Sequence, residues 1–208
     1  MITIGVDFDG TIADTTKHRL RAVQEICGLV LQPWEMDREV LQDRISAEEL
    51  RRVKEQFVEQ NETLTMHSEP IPFALGWIAQ LSKHCAIRLI TDRPGERFSY
   101  AVDWIAAHGA SKYFSSVHSS AGTTKGCVCL EQGCDVLVDD SVRHVTDLVG
   151  VTGILYKQGA PRDMFATGLL ATSWMEISGI VSGLGREKWK IETAYQQIQQ
   201  ADPCVVGL

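Results

Sequence analysis

The chain contains no Cys-x-x-Cys pair, no uninterrupted apolar stretch long enough to span a bilayer, and no charged leader ahead of an apolar segment. The first absence removes the usual paired-thiol zinc and redox patterns. The second excludes a transmembrane helix, and the third leaves no secretory signal to expect. Internal repeats and low-complexity tracts are also missing. These absences predict a soluble cytoplasmic protein. An excess of positive charge is lacking too: 20 Lys and Arg stand against 27 Asp and Glu, a formal net charge of −7. That balance opposes nucleic-acid polymers and anionic membrane surfaces, but admits a small anionic substrate wherever a local cation offsets the field. Aromatic rings are sparse early in the chain, with only Phe8, Trp34 and Phe57 between residues 1 and 72.

What is present suits a folded α/β domain with room for a small insertion. The 208 residues are 44% hydrophobic, enough for a full core. Six cysteines are present, of which Cys127, Cys129 and Cys134 read as reduced thiols buried on a helix rather than as metal ligands. After Asp14 the pattern is helical over 16–27, 35–45 and 46–60. Ser46 and Glu49 have capping-box spacing, Pro33 marks a break, and Pro70 with Pro72 closes the stretch. About fifty residues of helix exceed the dozen or so that a simple crossover needs. They predict a helical cap over 15–70, inserted into a core formed by 1–14 and 71–208.

From residue 71 helix and strand alternate: a helix over 73–83, a strand over 86–91, and a helix over 97–108 ended by Gly109. A strand over 113–118, a helix from about 123, a strand over 136–138, a helix over 141–149 and a strand over 153–156 follow. Continuous apolar strands in a β-α-β series predict a parallel sheet with helices on both faces. The tail over 173–200 reads as one or two helices packed on the sheet through Trp174, Ile177, Ile180 and Val181, with Trp189 and Tyr195 further on.

The chemistry gathers at strand ends. An apolar strand stops at Asp7-Phe8-Asp9-Gly10-Thr11, and strand alternation puts Asp7 and Asp9 on one side with Phe8 turned away. Two crowded carboxylates repel by about 1 kcal/mol in water, and by several at lower dielectric. A cation or a shared proton relieves them. Two further strands end at Thr91 and at Asp139-Asp140, and Lys125 opens the helix between them. Carboxyl ends of strands in an open α/β sheet are where ligands bind.

These four segments resemble the four motifs of the haloacid dehalogenase superfamily of phosphohydrolases, over roughly residues 1–157. The resemblance implies a three-layer sandwich with a Rossmann-like parallel sheet, its fifth and fourth strands beside the first, then the second and third. It also implies a helical cap after the first strand, and a Mg²⁺-dependent phosphomonoesterase. Asp7 is then the nucleophile that forms an aspartyl-phosphate, and Asp9 the acid and base. Thr91 and Lys125 hold the phosphoryl group, with Gly10, Thr11, Asp92 and Arg93 completing the phosphate-facing set. Mg²⁺ is bound by Asp7, the Asp9 carbonyl and Asp140, with Asp139 acting through water. The Thr91-Asp92-Arg93-Pro94 corner, the Trp104–Gly109 helix end and the Asp135–Ser141 strand resemble the cytosolic type C deoxyribonucleotidase branch, which usually reads Thr-Ala-Arg-Pro at that corner.

The implied substrate is a nucleoside 5′-monophosphate. The alternative is a small sugar or organic-acid phosphate such as phosphoglycolate, and a binding module without turnover is the third reading. A homodimer is left open. Phe8 could touch substrate, whereas Trp34 and Phe57 are weighed as cap core and His18 as a surface residue. Arg93 and Arg97 are weighed toward pairing within the protein; Lys157 and Arg162 are expected to be solvated.

Overall fold

The computed structural model describes the backbone of residues 1–59, 61–163 and 168–201, and the side chains of these apart from 38–39, 57–59, 61 and 189–201. Strands β1 (Thr3–Val6), β2 (Ala86–Thr91), β3 (Ser116–Ser119), β4 (Val136–Asp139), β5 (Thr152–Tyr156) and β6 (Leu169–Ala171) make one open sheet. Its order is β3-β2-β1-β4-β5-β6, and every pair is parallel. The implied order of five strands is present, with β6 added at the edge. The direction of crossing reverses between β1 and β4, so a crevice opens at the carboxyl ends of those two strands.

Alternation along the strands fills both faces. Ile4, Val6, Leu89, Val136 and Val138 point to one side, where they meet Ile78 of α5 (Ala74–Leu81), Trp104 of α6 (Glu96–Ala107) and Trp174 of α9 (Trp174–Ala201). Ile90 and Leu137 point to the other, against Val128 and Cys129 of α7 (Lys125–Glu131). Burying each such side chain is worth about 1.5–3 kcal/mol. Gly5 lets α7 close on the sheet, because a Cβ there would lie 2.9 Å from Ile90 Cδ1 and 3.2 Å from Cys129 Sγ. Cys134 is buried with Cys129, whereas Cys127 is exposed, contrary to the expectation of a buried trio. The tail forms a single helix, with Trp174, Ile177 and Val181 buried; Trp189 and Tyr195 lie outside the described side chains.

Helices α1 (Thr16–Cys27), α2 (Arg38–Gln42), α3 (Ala47–Glu59) and α4 (Asn61–His67) lie between β1 and α5 in the chain. The first three share an apolar cluster of their own, built from Ala22, Val23, Met36, Leu41, Leu50 and Val53. Helix α3 starts on the capping box read in the sequence: Ser46 N–H donates to Glu49 at 2.8 Å, and Glu49 N–H donates to Ser46 Oγ at 3.2 Å. Helix α4 packs instead against α6, next to the bond that Trp104 Nε1 donates to the Ser68 carbonyl at 2.8 Å. Lys157, expected in solvent, is buried and lies 2.6 Å from buried Asp37, tying the start of α2 to the end of β5. Arg162 is exposed, 2.5 Å from Glu176.

Other local expectations shift. Part of the strand expected over 113–118 is a 3-10 turn (Ser111–Tyr113), and the expected helix over 141–149 is one turn, α8 (Val142–Val145). Asp147 has φ of 55°, which no helix continues through. Trp34 is not in the cap cluster: its ring sits 3.8 Å from where a Cβ on Gly159 would stand, against the core. The Phe57 side chain lies outside the described residues. Among the described residues, no helix is long and apolar enough to cross a membrane.

Candidate active site

Register brings the motif residues together. Val6 pairs with Leu89 on one side and Val138 on the other, and Asp7 N–H donates to the Val138 carbonyl at 2.9 Å. Asp7 therefore emerges between the ends of β2 and β4. Gly10, at φ of 73°, makes the turn that follows; a Cβ there would stand 2.3 Å from Asp140 Oδ2. Its own N–H is committed to the Ala13 carbonyl at 2.9 Å, so Gly10 admits Asp140 rather than donating to a phosphate. Gly10→Ala should push Asp140 aside and weaken the binding of any divalent cation held beside it by about ten- to a hundredfold. A titration with the cation, read by calorimetry, checks this, and an unchanged half-saturation point would refute it.

Lys125 is held by Thr124, whose hydroxyl accepts from Cys127 N–H and so caps α7. Its buried Nζ lies 2.6 Å from Asp7 Oδ1 and donates to Asp139 Oδ2 at 2.5 Å. Asp139 also accepts from Ser141 N–H at 2.9 Å, and His144 Nδ1 lies 3.1 Å from both its oxygens. Burial raises the Asp139 carboxyl, but Lys125 and His144 outweigh it and hold it well below the usual range. Burial pushes Asp7 up; Lys125 pulls it down, and Asp139, Asp140 and Asp9 push it up again. Asp140 is also raised, first by burial.

One oxygen from each of Asp7, Asp139 and Asp140 lies within 4.8 Å of the others. Two full charges that far apart repel by about 3 kcal/mol at an effective dielectric near 20. Hard oxygen donors this crowded, with burial opposing the charge on Asp7 and Asp140, fit a hard divalent cation. Asp139 is already saturated by Lys125, Ser141 and His144, so Asp7 and Asp140 are the carboxylates with capacity to spare.

Asp9 sits apart from that trio. Arg93 forks it, with Nε donating to Oδ2 at 2.7 Å and Nη2 to Oδ1 at 2.6 Å. Burial raises Asp9, but this fork and the nearby Arg19 charge leave it below its ordinary value. This fork is the pairing within the protein expected of Arg93. Thr91 is fully buried at the end of β2, and its Oγ1 has no partner among the described residues, an arrangement that costs about 1–3 kcal/mol until an acceptor arrives. Thr11 is buried away from the crevice, its carbonyl accepting from Trp174 Nε1 at 3.0 Å. Asp92 is exposed at the rim, 3.5 Å from Arg143. Phe8 is fully buried edge-on to Trp104, with ring centroids 5.3 Å apart, and cannot touch a substrate.

A cavity of about 490 Å³ opens over these groups, within the roughly 300–1,000 Å³ of small-molecule sites. Asp7, Asp9, Arg93, Lys125 and Asp140 line its floor, with Asp92 at the rim. Arg19, Met36, Asp37, Leu41, Leu50, Val53 and Lys54 line it from the helical side, with Arg143 and His144 at the edge. None of the described lining residues is Phe, Tyr or Trp. His18 does not line it, in keeping with its expected place away from the substrate. A larger cavity, about 780 Å³, lies between α5 and α9 and holds none of the carboxylates, so size does not locate the chemistry. Sequence reading missed Arg19, Asp37, Lys54, Arg143 and His144, which carry no motif of their own.

Fold and crevice together define a phosphoric monoester hydrolase of the haloacid dehalogenase type. Among solved structures, a predicted phosphatase from Clostridium acetobutylicum aligns with a TM-score of 0.62 at 10% identity, covering 88% of this chain and 98% of its own. A hydrolase from Deinococcus radiodurans, with bound phosphate and sodium, gives 0.59 at 12% identity, covering 88% and 96%. A predicted phosphoglycolate phosphatase from Haemophilus somnus gives 0.55 at 16%, covering 86% and 97%. At such identities the likeness is one of fold. No curated protein matches significantly in sequence. The chain belongs to the family described as 5′ nucleotidase, deoxy (Pyrimidine), cytosolic type C protein, whose model matches residues 1–186.

Proposed function

We propose that this hydrolase is Mg²⁺-dependent and cleaves nucleoside 5′-monophosphates through an aspartyl-phosphate on Asp7. The observation that carries this reading is the buried contact of Asp7 with Lys125 on the floor of the crevice, with Asp140 beside it. Asp7 would attack phosphorus while Lys125 offsets charge on both partners. The unpaired Thr91 hydroxyl would donate to a phosphoryl oxygen. Mg²⁺, held by Asp7, Asp140 and the Asp9 carbonyl with Asp139 behind, would supply charge neutralisation for the phosphoryl oxygens. Asp9 would protonate the leaving oxygen and then deprotonate the water that opens the intermediate. The Arg93 fork favours the carboxylate form, which suits the second of these tasks; the first requires the fork to loosen around bound substrate.

The family description supports a nucleotide substrate and a cytoplasmic setting. The lining favours a second reading. An aliphatic wall of Met36, Leu41, Leu50 and Val53 offers a nucleobase no stacking partner, and Arg19, Lys54 and Arg143 would suit the carboxylate of a small organic-acid phosphate. In either case residues 15–70 would act as the cap that chooses the substrate.

A phosphate-release screen over nucleotides, sugar phosphates and phosphoglycolate separates these readings. With p-nitrophenyl phosphate, EDTA should abolish turnover and excess Mg²⁺ restore it, while Na⁺ should not. Turnover that survives EDTA would remove the metal from the reading; no turnover under any condition would leave a binding module.

A further inference from the structure

Arg93 is fixed on more sides than a simple ion pair needs. Two of its nitrogens hold the two Asp9 oxygens, and the third, Nη1, donates to Thr65 Oγ1 of α4 at 2.6 Å. The guanidinium carbon lies 4.9 Å from the centroid of the Phe8 ring, and the Arg93 carbonyl accepts from Ser119 Oγ at 2.7 Å. Arg93 and Thr65 are both buried, while the Asp9 side chain keeps 18% of its surface open toward the cavity. A planar fork bound on both oxygens fixes the rotation of the Asp9 carboxylate on the loop after β1.

We propose that Arg93 is a positioning residue that aims Asp9 at the water which opens the phosphorylated Asp7, with Thr65 as its anchor. This rests on the roles given above to Asp7 and Asp9. In the aimed step a water oxygen bonds to phosphorus and the bond from phosphorus to Asp7 breaks. The electron pair returns to the Asp7 carboxylate, and the water proton passes to Asp9. Phe8 turns from the crevice and so lies under Arg93, which gives the buried ring between the two aspartates a part in holding the fork.

p-Nitrophenyl phosphate isolates this step, because its leaving group departs without a proton. In rapid mixing with Mg²⁺ present, Arg93→Ala should release one p-nitrophenolate per chain in a burst. It should then turn over about 10²–10⁴-fold more slowly than wild type, the scale of lost general-base catalysis. Acid-quenched enzyme should carry one phosphoryl group by intact mass. Asp9→Asn should behave alike, and the double variant should be no slower than the worse single one, because both changes remove the same function. Arg93→Lys should recover only part of the rate. Thr65→Val, which removes the hydroxyl that accepts from Nη1 while keeping the side chain's shape, should slow the second phase with KM and melting temperature nearly unchanged.

Equal slowing of both phases in Arg93→Ala, multiplying effects in the double variant, or an unaffected Thr65→Val would overturn the proposal while the wild type stays active. If the wild type lacks metal-dependent turnover, or Asp7→Asn keeps it, the functional reading falls and takes this one with it.

Discussion

Asp7→Asn is expected to lower phosphate release by about 10⁴-fold or more, the scale for loss of a catalytic nucleophile, and to leave the melting temperature unchanged or higher. The amide has the shape of the carboxylate but cannot attack phosphorus. It also takes one negative charge out of a crowded group whose burial already opposes ionisation. Lys125 keeps a partner in Asp139, so no cation is stranded. Parallel assays of phosphate release and thermal unfolding test both halves. A variant within about tenfold of wild-type activity would remove the nucleophile from Asp7, and a large drop in melting temperature would mean that Asp7 also holds the fold together.

Lys125→Met should be the more damaging change to stability. The ammonium is the shared partner of two buried carboxylates, Asp7 and Asp139. Removing one partner of a buried ion pair costs about 3–5 kcal/mol, because the remaining charge is left uncompensated. Urea unfolding should show a loss of that size, and turnover should fall with it. Adding Asp139→Asn should return part of the stability but none of the activity. A loss below about 1 kcal/mol would match a surface ion pair rather than a buried one, and would contradict the compensating role.

The site was legible where chemistry coincides with a local pattern. Asp7 and Asp9 end an apolar run, Asp139 and Asp140 end another, and Thr91 ends a third, so each could be placed at a strand end before any register was known. Strand order came with the family resemblance rather than from local pattern, apart from β6, whose three residues at the sheet edge carry too little pattern to stand out. What stayed hidden depends on contacts between distant segments. Lys157 looks like any lysine after a strand until Asp37 meets it from the start of α2. Arg93 binds a residue 84 positions earlier, which separates pairing with Asp9 from pairing with a phosphate only in three dimensions. Phe8 was correctly turned away from its neighbours by alternation, but the burial that keeps it from a substrate comes from Trp104 on α6. Helix α8 was overextended because the left-handed turn at Asp147 leaves no reliable mark in composition.

The crevice divides cleanly by origin. Every group assigned to bond making comes from a strand end or the turn just after it, apart from Lys125 at the head of α7, while the opposite wall comes from α1 to α3 and the turn between them. Those helices have an apolar cluster separate from the one beneath the sheet. Under the proposed reading, volume-conserving exchanges among Met36, Leu41, Leu50 and Val53 would reshape the wall that meets new metabolites while leaving the residues around Asp7 in place.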